Sequence, residues 1–310
     1  MSRPEAPTLW GSSVPFSSPL RYPGGKGRLG PWLGELIRAN GLVGGTYVEP
    51  YAGGAGAAFH LLRAGLVRNV LINDADPVVY SFWRIAVHRT DELVKLIRER
   101  PVTMDTWLSA KEVLASPERY RQLEVAFATF FLNRTSRSGI LNGGVIGGKA
   151  QAGFYKLNAR YNVDGLVGRI MAIGACRERI TVSNRDALAL LEQRTATLPK
   201  KTLIYLDPPY YGKGSQLYRN FYLHSDHVAI GRAVRKLVHP IVITYDDCNE
   251  IRKIYHGVAW SSFSLQYSTH LERPTATEVM FYANLTLPMA PMLSRGSALT
   301  TRRNRLKLTP

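Results

Sequence analysis

The sequence predicts an α/β fold: a doubly wound, mostly parallel sheet with a mainly helical insertion between its two halves. Three observations predict it. Short β-rich runs alternate with helical patterns, which is the signature of strands joined by crossover helices. The alternation lapses between 85 and 175, where helices and a Gly-rich stretch occur without a convincing core strand. It then resumes for the second half of the sheet.

The strand candidates are 46–49 (TYVE), 70–73 (VLIN), 180–183 (ITVS), 202–206 (TLIYL) and 240–244 (PIVIT). Helical patterns fall near 31–39, 56–64, 77–87, 186–193 and 225–238. Ser116 before Pro117 reads as an N-cap and first helical position, opening a helix that runs to about 132. Two alternating runs, 261–268 and 277–285, flank the turn-rich HLERPT and predict a closing hairpin. The domain plan is a core of 20–84 and 176–288, an insertion of 85–175, a flexible Ser- and Pro-rich N-terminus of 1–19, and a flexible basic tail of 289–310. That tail carries Arg295, Arg302, Arg303, Arg305 and Lys307 and no acid.

With 310 residues, 45% of them hydrophobic, the chain can bury a sizeable core. Lys plus Arg exceed Asp plus Glu by 40 − 23 = 17, a balance that favours a polyanionic partner. The two cysteines, Cys176 and Cys248, form no CxxC pair, which argues against a disulfide framework or structural zinc. No apolar run approaches the roughly 20 residues of a bilayer span, and the N-terminus lacks a signal peptide's pattern. The expectation is a cytoplasmic, monomeric protein with no membrane partner and no metal.

Chemistry concentrates in four clusters. Glu49-Pro50-Tyr51-Ala52-Gly53-Gly54-Ala55-Gly56 follows a strand and opens a helix. Its glycines admit a ligand close to the backbone, and the helix start offers N–H groups. Asp74, at the end of the next strand, can hold a ribose hydroxyl. These features fit a nucleoside cofactor; a turn needed only for helix–sheet packing is the competing reading. GxGxxG is not met, because Phe59 takes the third glycine's place.

Asp207-Pro208-Pro209-Tyr210 ends the strongest strand. Two prolines stop the strand and stiffen a turn that presents a carboxylate, a carbonyl and an aromatic ring. An exocyclic amine on a nucleobase is a poor nucleophile, since its lone pair is delocalised into the ring. Two acceptors for its protons favour the pyramidal form and aim the lone pair at an electrophile. The ring can stack on the base.

The third cluster, Arg21-Tyr22-Pro23-Gly24-Gly25-Lys26, reads alone as a glycine turn beside a cation. The fourth is the basic, Gly-rich part of the insertion. There Arg134, Arg137, Lys149, Lys156, Arg160, Arg169, Arg177 and Arg179 face only Asp164 and Glu178, with Asn133, Ser136 and other amides and aromatics interleaved. Cations of this kind neutralise phosphates, and amides can read bases; a solvated basic surface is the alternative. Gly143-x4-Gly148-Lys149 nearly matches a P-loop, but Ala150 replaces the Ser or Thr that holds magnesium. His224-Ser225-Asp226-His227 has no third metal ligand and reads as a helix start capped by Ser225.

RYPGGK, EPYAGGAG, NDAD, a long insertion and YLDPPYY, in that order, resemble the Dam-like, D12 class of DNA adenine N6-methyltransferases. The similarity covers roughly residues 20–285, about 85% of the chain. FFLNRTSRSG within the insertion, and Tyr218…Phe221…Asp226-His227 after DPPY, are similar to further stretches of that family. The resemblance implies a Rossmann-like sheet that binds S-adenosyl-L-methionine, and an insertion, 85–175, that recognises double-stranded DNA. It implies that Tyr22 and Lys26 contact the cofactor, Asp74 its ribose and Asp186 its adenine. Glu49, Pro50, Tyr51, Gly53, Gly54 and Gly56 form the cofactor loop. Asp207, near the cofactor's methionine part, and Pro208, Pro209 and Tyr210 form the catalytic turn. Asn133, Arg134, Ser136, Arg137, Lys149, Lys156 and Arg160 are the DNA-binding candidates. One departure is Ala55, which stands where the family's simpler loop has its last glycine.

The implied reaction is methyl transfer to N6 of an adenine flipped from the duplex. RNA adenine or DNA N4-cytosine amines would use the same acceptors, and a non-catalytic DNA-binding protein would keep the fold. Neither cysteine has a Pro-Cys context, which argues against methylation of a cytosine ring carbon. A cognate restriction endonuclease is compatible with this class, and nothing in the sequence names one.

Overall fold

The structure, a computed structural model, describes residues 18–22, 26–212, 222–266 and 275–288. The expectations for most of the N-terminus, the basic tail, the HLERPT turn, Pro23 to Gly25, and Tyr218 and Phe221 lie outside the described residues.

Seven strands form one sheet: β1 (Gly45–Glu49), β2 (Val67–Asn73), β3 (Ile180–Ser183), β4 (Thr202–Leu206), β5 (Ile241–Asp246), β6 (Ala259–Gln266) and β7 (Thr275–Ala283). Their order is β3-β2-β1-β4-β5-β7-β6. The first five run parallel, and β7 is antiparallel to both β5 and β6. The five parallel strands fall within a few residues of the predicted runs. The two runs expected to close a hairpin pair with each other as β6 and β7, and the second of them lies against β5, so β6 is the sheet's edge.

Beside the strands lie α1 (Gly30–Ala39), α2 (Gly56–Arg63), α3 (Pro77–His88), α4 (Thr90–Glu99), α5 (Met104–Ala115), α6 (Gln122–Thr135), α7 (Val163–Gly174), α8 (Ala187–Arg194), α9 (His224–Val234) and α10 (Asn249–Ile254). Alternate side chains of the sheet supply two cores. Tyr47, Val70, Ile72, Leu203 and Tyr205 point to the face covered by α1, α2 and α3. Val48, Leu71, Ile204, Leu206 and Ile243 point to the face covered by α8, α9 and α10. A sheet buried on both faces is what nearly continuous apolar strands such as TLIYL require.

The first core continues past the sheet. Phe82 of α3 stacks on Phe130 of α6 with centroids 6.0 Å apart, and Phe130 and Phe131 both meet Tyr161. Helix α6 is buried on nearly every side from Val125 to Thr135, so it is the spine around which α3, α4 and α5 pack. One apolar core therefore runs from β1 and β2 into the helices of 85–175.

Two local expectations are corrected. Ser116 and Pro117 do not open α6: α5 ends at Ala115, Pro117–Arg119 is a single 3-10 turn, and Tyr120 and Arg121 are extended. Helix α6 starts at Gln122, where Glu124 Oε2 accepts the Arg121 main-chain N–H at 3.1 Å. Ser225 does not cap α9. The helix begins one residue earlier, and Asp226 Oδ2 takes the Leu223 N–H at 2.8 Å.

Candidate active site

Strand order runs outward from β1 through β2 to β3, then returns to place β4 on the other side of β1. The junction of β1 and β4 is the switch point at which ligands bind in such sheets, beyond the carboxyl ends of the strands. Val48 of β1 is paired with Ile204 of β4. The segment after Glu49 and the turn after Leu206 thus leave the sheet side by side. These two segments carry the glycine loop and Asp207-Pro208-Pro209-Tyr210.

The glycine loop is held from three directions. Gly53 adopts φ +44°, and a Cβ there would lie 2.7 Å from the Tyr22 ring. Its N–H donates to Asp74 Oδ2 at 2.8 Å, and its carbonyl accepts from Trp83 Nε1 at 2.8 Å. Gly56 begins α2, and a Cβ would meet the Gly27 Cα at 3.0 Å. Backbone after Lys26 and backbone at the start of α2 therefore approach closely enough that a side chain at Gly56 would crowd Gly27. Ala55, the departure from the family loop, adopts the left-handed φ of 46° at the N-cap of α2. Asp74 Oδ1 also accepts the Asp76 N–H at 2.9 Å, and burial raises its carboxyl to about 7 against the pull of these two bonds.

Glu49, at the end of β1, is buried. Its Oε1 accepts from Tyr47 Oη at 3.4 Å, and its Oε2 has no hydrogen-bond partner. Burial, followed by the nearby Asp207 charge, pushes its pKa well above the usual carboxylate value. The Pro50 carbonyl accepts from Asn73 Nδ2 at 2.9 Å, and the Tyr51 and Tyr222 hydroxyls are 3.0 Å apart. Asp186 is exposed at the start of α8, where its Oδ1 accepts the Ala189 N–H at 3.1 Å.

Asp207 belongs to a charge network. Lys26 Nζ lies 3.0 Å from Asp207 Oδ1 and 3.3 Å from Glu278 Oε2. It also donates to Tyr210 Oη at 3.1 Å, and Tyr210 Oη donates to Glu278 Oε1 at 2.6 Å. Thr244 Oγ1 donates to Asp207 Oδ1 at 2.8 Å and in turn pairs with Tyr205 Oη at 2.9 Å. Burial works against the Lys26 ammonium, but Asp207 and Glu278 overcome it and hold its pKa well above the lysine range. Asp207 is raised above the usual carboxylate value by burial, with Lys26 pulling it back and Glu278 adding to the rise. The turn is fixed further by Asp246, whose carboxylate accepts the Tyr211 and Gly212 N–H groups at 2.9 and 3.0 Å.

Asp207 keeps its side chain 20% exposed, whereas Pro208 and Pro209 are buried. Tyr210 is 7% exposed, so the ring face expected to stack on a base is largely covered.

The DNA-binding candidates separate by exposure. Arg137, Lys149, Lys156 and Arg160 are exposed and Arg134 is partly buried. Asn133 and Ser136 are buried, and their polar atoms are used inside the protein. Asn133 Oδ1 accepts the Arg21 N–H at 2.7 Å, and its Nδ2 donates to the Arg21 and Gly139 carbonyls at 2.6 and 3.0 Å. Ser136 Oγ accepts from Trp107 Nε1 at 3.3 Å. Facing a groove is therefore not what these two side chains do in this structure: they anchor the insertion.

Sequence reasoning missed Glu278, Asn73 and Asp246. Asn73 stood inside the quoted NDAD and joins Pro50 to the Arg185 backbone before α8. Glu278 carried a signal, a lone acid in an otherwise uncharged strand.

Among the described residues no group of three or more His, Cys, Asp or Glu could hold a metal ion, and no helix is long and apolar enough to cross a membrane. No curated protein matches the chain. Among solved structures, the rRNA methyltransferase aviRa from Streptomyces viridochromogenes is similar at 16% identity and TM-score 0.37, covering 91% of this chain and 94% of its own. A Legionella pneumophila strain Philadelphia 1 protein is similar at 12% identity and TM-score 0.31, covering 88% and 87%. Neither likeness is strong enough to bear on what this chain does. The family model for D12 class N6 adenine-specific DNA methyltransferase matches residues 22–269. That span takes in Tyr22, the glycine loop, the insertion and the Asp207 turn on a Rossmann-like sheet, and the chain belongs to this methyltransferase family.

Proposed function

We propose that the protein transfers a methyl group from S-adenosylmethionine to N6 of an adenine extruded from double-stranded DNA, acting as a cytoplasmic monomer. The observation that carries this reading is the position of Asp207. It is a partly exposed carboxylate at the tip of β4, beside the glycine loop of β1, in a chain of this family.

The residues present fit a nucleoside cofactor. A side-chain-free peptide at Gly53, the Asp74 carboxylate next to it and the unpartnered Glu49 Oε2 offer acceptors at the strand ends where a ribose and an amino acid moiety need them. Bound there, S-adenosylmethionine supplies an activated methyl on a sulfonium. Tyr22 keeps the loop in shape, and Asp186 flanks the same edge of the sheet from α8.

Asp207 and the Pro208 carbonyl accept the two amine protons of the target base and turn its lone pair outward. Lys26 holds the Asp207 carboxylate in place, so the acceptor is aimed before a base arrives. Tyr210 stacks on the base once its cover is displaced, its hydroxyl anchored by Glu278. Stacking of this kind returns about 1–3 kcal/mol against an extrusion cost of roughly a few. Residues 85–175 act as the target-recognition domain, with Arg137, Lys149, Lys156 and Arg160 on its exposed surface.

The test is a labelled-methyl assay on duplex DNA and on RNA, followed by nucleoside analysis. N6-methyladenine in DNA is the expected product; label on N4 of cytosine or in RNA would move the reading to those substrates. Asp207→Asn is expected to bind cofactor and DNA yet lose about 10²–10³ or more in kcat. Unchanged turnover would refute the role given to that carboxylate. Binding of DNA without any binding of S-adenosylmethionine would favour a non-catalytic protein.

A further inference from the structure

Four guanidinium groups from three stretches of chain are tied to one another through backbone. Arg134, at the end of α6, donates from Nε to the Arg160 carbonyl at 2.9 Å. Its neighbour Asn133 grips both sides of the Arg21 peptide. Arg169 of α7 donates from Nη1 to the Ser18 carbonyl at 3.2 Å, three residues before Arg21. Tyr161, next to Arg160, packs its ring on Phe130 and Phe131 at the base of the group.

Among the described residues none of these four arginines is paired with a carboxylate, in contrast to Lys26, which has two. Three buried polar atoms here have no hydrogen-bond partner: Arg21 Nη1, Arg169 Nε and Tyr161 Oη. All three can donate. A buried donor left unmade costs about 1–3 kcal/mol, and more when it is charged. Burial and then the charges of Arg21, Arg169 and Arg160 bring Arg134 down to about 9, so the cations repel one another in a partly desolvated place. An arrangement that unfavourable by itself is explained by an anion that completes it. Guanidinium forks match a tetrahedral oxyanion. The exposed Arg137, Lys149 and Lys156 of the same insertion, and the net charge of +17, favour an anion that belongs to a polyanion.

We propose that Arg21, Arg134, Arg160, Arg169 and Tyr161 form a pocket for one phosphodiester of the DNA backbone. Arg21 immediately precedes Tyr22, whose ring lies against Gly53 and Gly54. The pocket is therefore one residue along the chain from a contact of the glycine loop. The identity of the polyanion rests on the function proposed above; the anion chemistry of the pocket does not.

The test compares the wild-type protein with Arg169→Gln and Arg134→Gln in two measurements. In duplex DNA binding between 50 and 200 mM salt, each variant is expected to lose about one from the slope of log K on log salt. Each is also expected to bind about tenfold or more weakly at the low-salt end. In thermal unfolding, inorganic phosphate raises the melting temperature of the wild type over chloride of equal ionic strength and does not raise that of the variants. A wild type that methylates DNA, with variants of unchanged salt slope and unchanged response to phosphate, overturns the pocket and leaves the proposed function standing. Phosphate stabilisation lost in the variants, with a wild type that never methylates DNA, upholds the anion pocket and overturns the proposed function.

Discussion

Replacing Lys26 by Met tests the charge network at its centre. The Lys26 side chain is 3% exposed, and the carboxylates it serves are 20% exposed at Asp207 and 1% at Glu278. At 3.0 and 3.3 Å each attraction is worth about 5 kcal/mol at an effective dielectric of about 20. Against this stands a desolvation cost of several kcal/mol for each buried ion. The network as a whole is therefore near balance, but removing the ammonium leaves two acids without compensation. The expected loss is about 3–5 kcal/mol in urea unfolding at pH 8. In the variant Asp207, already raised by burial, loses the cation that pulls it back and rises further above its unfolded value of about 4. A group raised in this way contributes stability below its unfolded pKa and loses it as pH rises through the folded pKa. The gap between variant and wild type is thus smallest near pH 4 and widens toward pH 8. Lys26→Met combined with Asp207→Asn and Glu278→Gln removes every charge and is expected to recover most of the stability without activity. A gap under about 1 kcal/mol at pH 8, or one that does not change with pH, would refute the reasoning.

Gly53→Ala is expected to cost about 1–2 kcal/mol from the left-handed φ alone, and more from the 2.7 Å approach to Tyr22. Adding Tyr22→Ala removes only the second part; a double-mutant cycle with coupling below about 0.5 kcal/mol would show that Tyr22 does not set the loop. Asp74, raised to about 7 by burial, contributes stability that is complete below about pH 4 and is lost as pH rises through 7. Asp74→Asn is therefore expected to flatten the fall in unfolding free energy between pH 5 and pH 8, and equal slopes in the two proteins would contradict the assignment.

The sheet was legible because its core strands are short apolar runs, two of them closed by proline. Pro208 after TLIYL is the clearest stop, Pro50 after TYVE the next. The Asp207 turn and the glycine loop were legible for the same reason: their residue types make sense at strand ends. Glu278 was not, because one acid in an alternating strand reads as a solvent-facing position, and its burial depends on Lys26 arriving from 252 residues away. Asn133 was read as a DNA contact because amides among cations suit a groove, yet α6 turns it inward to Arg21. Ser116-Pro117 carried a true start signal that opened only a 3-10 turn, since the extended Tyr120 and Arg121 follow it.

The charge network at Lys26 and the arginine group obey opposite rules. With 17 excess cations, the chain as a whole favours phosphate. On the proposed function, a cation left bare beside Asp207 would draw a phosphate to the place where a neutral base enters. Lys26 is prevented from doing so because Asp207 and Glu278 consume its charge internally. Among the described residues the Arg21, Arg134, Arg160 and Arg169 group has no such acid partner, and on the proposal above its charge serves a phosphate. Residues 21 and 26 belong to the same short segment, pinned at one end by Asn133 of the insertion and at the other by the Gly27–Gly56 contact. On the proposed function, sorting charge along so few residues separates gripping a DNA backbone from admitting a base.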